Sequence, residues 1–179
     1  MPYASSYFGP TPVIETARLR MRGHRAEDLA ECSAMWADPE VVRYIGGRPY
    51  SQEEAWARLL RYAGHWALLN YGYWAVEEKA TGAFAGELGF ADFRREMEPP
   101  LIEAPELGYA FASRAQGNGY ASEAARAALA WGDVHFAGKR TACIIHPDNL
   151  ASIRVAEKCG YREFERTKYK GEPTIIFLR

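Results

Sequence analysis

Gln116-Gly117-Asn118-Gly119-Tyr120-Ala121 decides the fold, because of what flanks it. A short apolar run, Leu107 to Phe111, leads in, and an alanine-rich helical pattern from about Tyr120 to Phe136 leads out. The order reads as a strand, a tight glycine turn and a helix start. Such a junction gathers unpaired backbone N–H groups at the positive end of a helix dipole, where they can cradle a phosphate. Gly117 and Gly119 lack a Cβ, so the backbone can adopt positive φ and approach a ligand closely. The turn is therefore expected to hold a pyrophosphate.

The strand before it alternates. Leu107, Tyr109 and Phe111 share one face, while Glu106, Gly108 and Ala110 share the other. Small side chains on the second face leave room for a thin ligand, with Glu106 at the end of the channel. Beyond the turn, Tyr120, Ala124, Ala127, Trp131 and Val134 lie near one helical stripe, and Gly138 falls where a C-terminal glycine is expected. Thr141 to Ile145 reads as a short buried strand broken by His146-Pro147-Asp148. Asn149 can cap a helix containing Ile153, Ala156 and Cys159, and Tyr161–Tyr169 with Thr174–Leu178 reads as a closing strand pair.

Toward the N-terminus, Tyr73 to Glu77 and Phe84 to Phe90 form a hairpin pattern around Lys79-Ala80-Thr81-Gly82. In strict alternation Glu87 faces away from Phe84, Leu88 and Phe90, which predicts solvent exposure. Ser51-Gln52-Glu53-Glu54 is a capping box opening a helix to about Asn70. On that helix and the preceding loop, Tyr62, Trp66 and Tyr44 are read as core aromatics, with a substrate groove as the alternative. An earlier helix, Ala26 to Trp36, ends at Asp38-Pro39, and Val41 to Pro49 reads as a loop. Arg18-Leu19-Arg20-Met21-Arg22 alternates as a half-buried first strand with its arginines on a solvated face. Residues 1–12 read as an arm, and residues 13–179 as one domain.

Composition bounds what this domain can do. A chain of 179 residues, 48% hydrophobic and 25% charged, has enough apolar material for one sizeable core. A formal net charge of −1 gives no electrostatic reason for nucleic-acid or membrane-surface binding. Cys32, Cys143 and Cys159 are odd in number and lack CxxC spacing, so neither a disulfide framework nor a metal site is expected. No leader pattern or membrane-length apolar run is seen, and the expected location is the cytoplasm.

At this point the residues resemble the GCN5-related N-acetyltransferase (GNAT) superfamily, and within it the ribosomal-protein N-terminal acetyltransferase-like branch. The resemblance spans nearly the whole chain from Thr16-Ala17-Arg18-Leu19-Arg20 onward. Gln116, Gly119 and Ala121 match the motif Gln/Arg-x-x-Gly-x-Gly/Ala, and Asn149-Leu150-Ala151-Ser152 followed by Glu157-Lys158-Cys159-Gly160-Tyr161 is similar to a second family stretch. The resemblance implies an α+β fold: a mixed, mostly antiparallel, twisted sheet of about six to seven strands with about four helices. It also implies acetyl-CoA as donor and direct attack of a primary amine in a ternary complex, without a metal. Carried over by position, the amides of Gln116, Gly117, Asn118, Gly119, Tyr120 and Ala121 would hold the pyrophosphate. Phe111 and Ala112 would offer backbone hydrogen bonds to the pantetheine arm, and Asn149 a side-chain bond.

Chemistry adds three demands: a base, an oxyanion donor and a proton for the departing thiolate. Glu106, desolvated among apolar neighbours, is the first choice of base, with Glu87 and His146 behind it. A backbone N–H near Phe111 suits the oxyanion. The superfamily's commoner tyrosine acid, seven residues after the asparagine, is replaced here by Ala156, so the resemblance to the ribosomal-protein branch points to Ser152 as the acid. The expected acceptor is a peptide N-terminal amine, with a polyamine, amino acid or aminoglycoside as the alternative; Glu96, Glu98, Glu103 and Glu106 are the carboxylates that would favour a small cation. A homodimer is common in the branch. Two other classes compete: a Rossmann oxidoreductase, for which Ser122 takes the third small-residue position and Asp133 lies on a helix instead of at a strand end, and a noncatalytic CoA-binding module.

Overall fold

The computed structural model of the protein describes residues 10–101 and 104–179; the greater part of the expected N-terminal arm, Met1 to Gly9, and Glu103 of the acidic loop lie outside them. One eight-stranded sheet runs through the described residues in the order β1-β2-β3-β4-β5-β6-β8-β7. Its strands are β1 (Ile14–Glu15), β2 (Leu19–Arg22), β3 (Tyr73–Glu78), β4 (Phe84–Ala91), β5 (Glu106–Phe111), β6 (Ala142–Ile145), β7 (Arg162–Tyr169) and β8 (Glu172–Leu178). Every neighbouring pair is antiparallel except β5 and β6. The sheet is thus mixed and mostly antiparallel, with one strand more than expected because the two-residue β1 pairs onto β2.

Among the described residues five α-helices flank it: α1 (Leu29–Trp36), α2 (Pro39–Val42), α3 (Gln52–Leu69), α4 (Tyr120–His135) and α5 (Leu150–Lys158). The additional one, α2, follows from local chemistry at Asp38-Pro39. That dipeptide ends nothing by itself: proline fits the first helical position, where no N–H is needed, and the Asp38 carboxylate accepts from the Glu40 amide at 2.9 Å. The expected loop at Val41 to Pro49 accordingly begins as helix. The capping box at Ser51 forms as read, with Ser51 and Glu54 bonding each other's amides, and α3 ends on left-handed Asn70.

The helices divide between the two faces. Leu107 and Phe111 of β5 pack with Trp74, Leu88 and Phe90 against Ala124, Ala128 and Leu129 of α4 and Ala156 of α5. Ala110 packs on the opposite face with Cys32, Trp36, Val42 and Leu59, from α1 to α3. Covering both faces buries all eight residues of β4, Glu87 among them at 1% exposure. The expected solvent exposure of Glu87 is therefore wrong. Alternation did send it away from Leu88 and Phe90, but that second face carries helices instead of water, and the irregular β3–β4 register brings Phe84 onto it beside Cys32 and Trp36. The aromatics divide too: Trp66 meets Trp74 and Trp131 in the core, Tyr62 is fully buried, and Tyr44 stacks on His146 at 5.5 Å in an open cleft.

Candidate active site

The site is built where the sheet opens. β5 and β6 share a single parallel pair, Glu106 with Ala142, reinforced by the Ala142 amide on the Pro105 carbonyl at 3.1 Å. Past that pair the strands register no further, and a cleft of about 1670 Å³ lies over the region, lined among others by Glu106, Gly108, Tyr109, Ile145, His146, Asn149 and Ser152. Glu106, Asn149 and Ser152, far apart in sequence, are thereby brought to one space.

Register decides which backbone groups face the opening. The Ala112 N–H donates to the Ala85 carbonyl at 3.0 Å, and β4 pairs Gly86 with Phe111. Hydrogen-bonded pairs alternate in an antiparallel ladder, so residues 106, 108, 110 and 112 turn their backbone groups toward β4, while 107, 109 and 111 turn theirs away. The N–H groups of Tyr109 and Phe111 thus point off the ladder on the β6 side, where no strand pairing continues. The Ala112 N–H is taken by the Ala85 carbonyl, and its own carbonyl accepts from Ala115 at 2.8 Å, so the contact expected of Ala112 falls to the second lone pair of that carbonyl. The Phe111 carbonyl receives Gln116 Nε2 at 3.0 Å, leaving Phe111 its amide as the free group.

The glycine turn stands apart from the cleft lining, at the solvent end of β5. Gly117 and Gly119 both have φ near +78°, and α4 starts on Gly119 with no side-chain cap. The first amides of a sixteen-residue helix, from Tyr120 onward, therefore stay open to an anion. Asn118 Nδ2 folds back on the Ala115 carbonyl at 3.4 Å, and Arg18 donates to the Asn118 carbonyl at 2.9 Å. Arg18 also lies 4.8 Å from the Tyr120 ring centre and pairs with Glu123. The sequence reading left Arg18 on a solvated face; it is exposed, but it braces the turn and adds a cation beside it.

Three side chains define the reactive end. Glu106 is buried at 6% exposure, and Arg95 grips both its oxygens at 2.6 and 2.7 Å. Desolvation is thus not the only force on this carboxylate: a bidentate cation orients it. Asn149 Oδ1 caps α5 on the Ser152 amide at 3.1 Å, so the plain capping role is occupied while its Nδ2 stays available. The Tyr109 hydroxyl reaches toward Ser152. Burial pushes this phenol well above its ordinary pKa and the Ser152 contact offsets that in part, yet the two oxygens fall short of hydrogen-bond geometry, leaving a buried hydroxyl without a partner. His146 lines the cleft, stacked on Tyr44 with its Nδ1 accepting from the Asp148 amide at 3.2 Å.

Glu87 lies behind this site, outside the cleft lining. Its Oε1 accepts from Tyr62 at 2.6 Å and Trp36 at 3.0 Å, and its Oε2 faces Cys32 Sγ at 3.9 Å and His24 Nε2 at 3.5 Å. Among the described residues His24, Cys32 and Glu87 are the one set whose ligand atoms, all within 4.8 Å of one another, could hold a metal. Burial first, then the Glu87 charge, pushes the Cys32 thiol far up, so as it stands it is a protonated neighbour of the carboxylate. Sequence spacing gave no hint of this cluster, because its members come from the loop after β2, from α1 and from β4.

Residues 18–162 match the family model for the acetyltransferase (GNAT) domain. The Bacillus subtilis protein YkkB is 34% identical over 173 residues, covering 93% of this chain and 94% of its own. A Bordetella pertussis structure described as a GNAT-family acetyltransferase superposes with a TM-score of 0.83 at 30% identity, covering 94% of this chain and 99% of that one. RimL, titled a ribosomal L7/L12 α-N-protein acetyltransferase in complex with coenzyme A, shares the fold at a TM-score of 0.75 and 18% identity, over 94% of this chain and 97% of its own. The chain belongs to the GNAT family and is an N-acetyltransferase whose fold uses acetyl-CoA.

Proposed function

We propose that this enzyme acetylates the N-terminal α-amine of a protein or peptide by direct attack in a ternary complex. The observation that carries the reading is the single Glu106–Ala142 pair, beyond which β5 and β6 part over a cleft containing Glu106, Asn149 and Ser152. Outward-facing Tyr109 and Phe111 amides fit a pantetheine arm lying along β5, and the uncapped start of α4 fits its pyrophosphate. Bound there, acetyl-CoA supplies an activated thioester. The Phe111 N–H serves as donor to the carbonyl oxygen as charge develops on it. Glu106, held by Arg95, takes the amine proton through the lone pairs that the guanidinium leaves free, directly or through one water. Ser152, with the Tyr109 phenol behind it, supplies a proton to the departing sulfur. A cleft of about 1670 Å³ has room for the donor and an acceptor together.

An acceptor screen that follows thiol release from acetyl-CoA tests this reading. Peptides with free N-termini are expected to turn over and their N-blocked counterparts are not. Tight CoA binding with no turnover on any amine would leave only a donor-binding module.

A further inference from the structure

The cleft lining is cationic, although the chain as a whole is not. Its lining holds Arg43, Arg48, Arg58, Arg61, Arg94, Arg95 and Lys170 against Glu54, Asp92, Glu106 and Glu172, an excess of three positive charges on a protein of net charge −1. Three of those acids are already neutralised: Glu54 by Arg48, Asp92 by Arg94 and Glu106 by Arg95. Among the described residues Arg43, Arg61 and Lys170 have no carboxylate within ion-pair distance and lie instead against the rings of Tyr44, Phe93 and Tyr169.

Arg58 is the centre of this wall. Its guanidinium lies 3.9 Å over Trp36 and donates to the hydroxyls of Tyr62 at 3.0 Å and Tyr50 at 3.2 Å. Its Nε is buried with no hydrogen-bond partner. The nearest compensating charge, Glu87, is reached only through Tyr62, which accepts from Arg58 and donates to Glu87. A half-buried guanidinium whose Nε is enclosed and idle, with no carboxylate of its own, is costly unless something completes it. Its position relative to the chemistry is fixed by aromatic contacts. Tyr62 stacks on Tyr73 at 4.3 Å, and the Tyr73 hydroxyl sits where a Cβ on Gly108 would be 2.1 Å away. Gly108 is two residues from Glu106 on the same face of β5.

We infer that the acceptor carries a carboxylate close to its reactive amine, and that Arg58, with Arg43 and Arg61 lining the same cleft, receives it while the amine reaches Glu106. This rests on the acetyltransferase reading above and narrows it. Planar two-pronged recognition by arginine suits a carboxylate, and the surrounding positive field attracts an acidic acceptor while repelling a polycation. The acidic-loop argument for a polyamine or aminoglycoside is correspondingly weakened, since Glu106 of that group is matched by Arg95.

Purified full-length enzyme tests this with matched acceptors: N-terminally free peptides with aspartates at the second and third positions, the same peptides with serines or with lysines there, free aspartate, and spermidine. A kcat/KM about tenfold or more higher for the aspartate peptide than for the lysine peptide is expected. Preference for free aspartate over the aspartate peptide would identify the α-carboxylate as the recognised group, which also satisfies the inference. Equal or better turnover of the lysine peptide or spermidine overturns it while leaving the acetyltransferase reading intact; no turnover of any amine overturns both. Arg58→Met should reduce the acidic-over-neutral selectivity ratio about tenfold. Because that change can unsettle folding, Arg61→Glu at the exposed rim provides a second test, with the acidic preference falling as the cleft loses its positive field. An unchanged selectivity ratio in both folded variants overturns the assignment.

Discussion

Truncating Glu87 to alanine should destabilise the protein severely while leaving the donor site whole. The carboxylate is 1% exposed and accepts from Tyr62 and Trp36, both buried. Burial, followed by the Glu87 charge, holds the Tyr62 phenol protonated well above its ordinary pKa, so this hydroxyl is a committed donor. Removing the acceptor strands two buried donors, at roughly 1–3 kcal/mol each, and takes from Arg58 the charge it reaches through Tyr62. The two stranded donors together put the expected loss at about 3–5 kcal/mol. For a chain of this length each kcal/mol lowers Tm by about 2–4 °C, so the melting point should fall by at least about 6 °C. Glu87→Gln keeps an acceptor oxygen and should lose less than half as much. Urea denaturation and thermal melts of the two variants provide the comparison. A loss below about 1 kcal/mol for Glu87→Ala, or equal losses for the two, would refute the account of a committed buried acceptor. The same glutamine variant assayed for turnover adds a kinetic control: if it melts near the wild type yet abolishes catalysis, Glu87 displaces Glu106 as the base.

Other expectations follow from single features. Glu106→Gln and Ser152→Ala, made separately, should each lower kcat by about 10²-fold or more with CoA affinity by calorimetry unchanged; loss of affinity in either would move that residue to donor binding. Gly119→Val places a β-branched residue at φ near +78°, costing about 1–2 kcal/mol, and should weaken CoA binding at the turn; unchanged affinity would mean the phosphate binds elsewhere. For Asp28, burial works to raise the pKa, but the Arg22 fork and the Arg25 amide outweigh it and hold the carboxyl below its ordinary value. The unfolded chain then binds that proton more tightly, so the stabilisation is complete above about pH 4 and is lost as pH falls through the lower folded value. Urea midpoints measured from neutral to acid pH should fall less for Asp28→Asn than for the wild type, and parallel curves would reject the pairing. The Cys32 thiol is buried outside the cleft lining and pushed up in pKa chiefly by desolvation, so a thiol reagent at neutral pH should label it at the rate of unfolding; fast labelling of Cys32 in the folded protein would contradict its burial.

Much of the fold was legible because its signals are local. The capping box at Ser51, the glycine turn before α4, the Asn149 cap and the closing hairpin each depend on residues a few positions apart, and each forms where the pattern places it. Two short elements escaped: β1 is too brief to show alternation, and α2 hides behind a proline read as a stop when it is a start. Within the candidate site, the positions along β5 and α5 could be read, but the partners could not. Arg95 on Glu106, the Tyr109 hydroxyl against Ser152 and Arg58 over Trp36 join side chains from separate elements. Only the four-residue spacing of Arg58 and Tyr62 along α3 offered a sequence clue to any of them.

Ala112 and Glu87 mark the boundary between the two kinds of information. Sequence alone determined that a strand, an open helix start and a glycine turn stand together, because backbone conformation is set largely by nearest neighbours. It also determined that Ala112 follows the strand and that Glu87 faces away from Leu88 and Phe90. Which way the Ala112 amide points was decided by its pairing with β4, and whether Glu87 meets water was decided by α1 and α3 covering its face. Both outcomes depend on hydrogen-bond partners and packing surfaces distant in the chain. The same holds for the cleft's charge: the net charge of −1 is a sum over the sequence, whereas the cationic wall exists because folding brings Arg43, Arg58, Arg61 and Lys170 to one space.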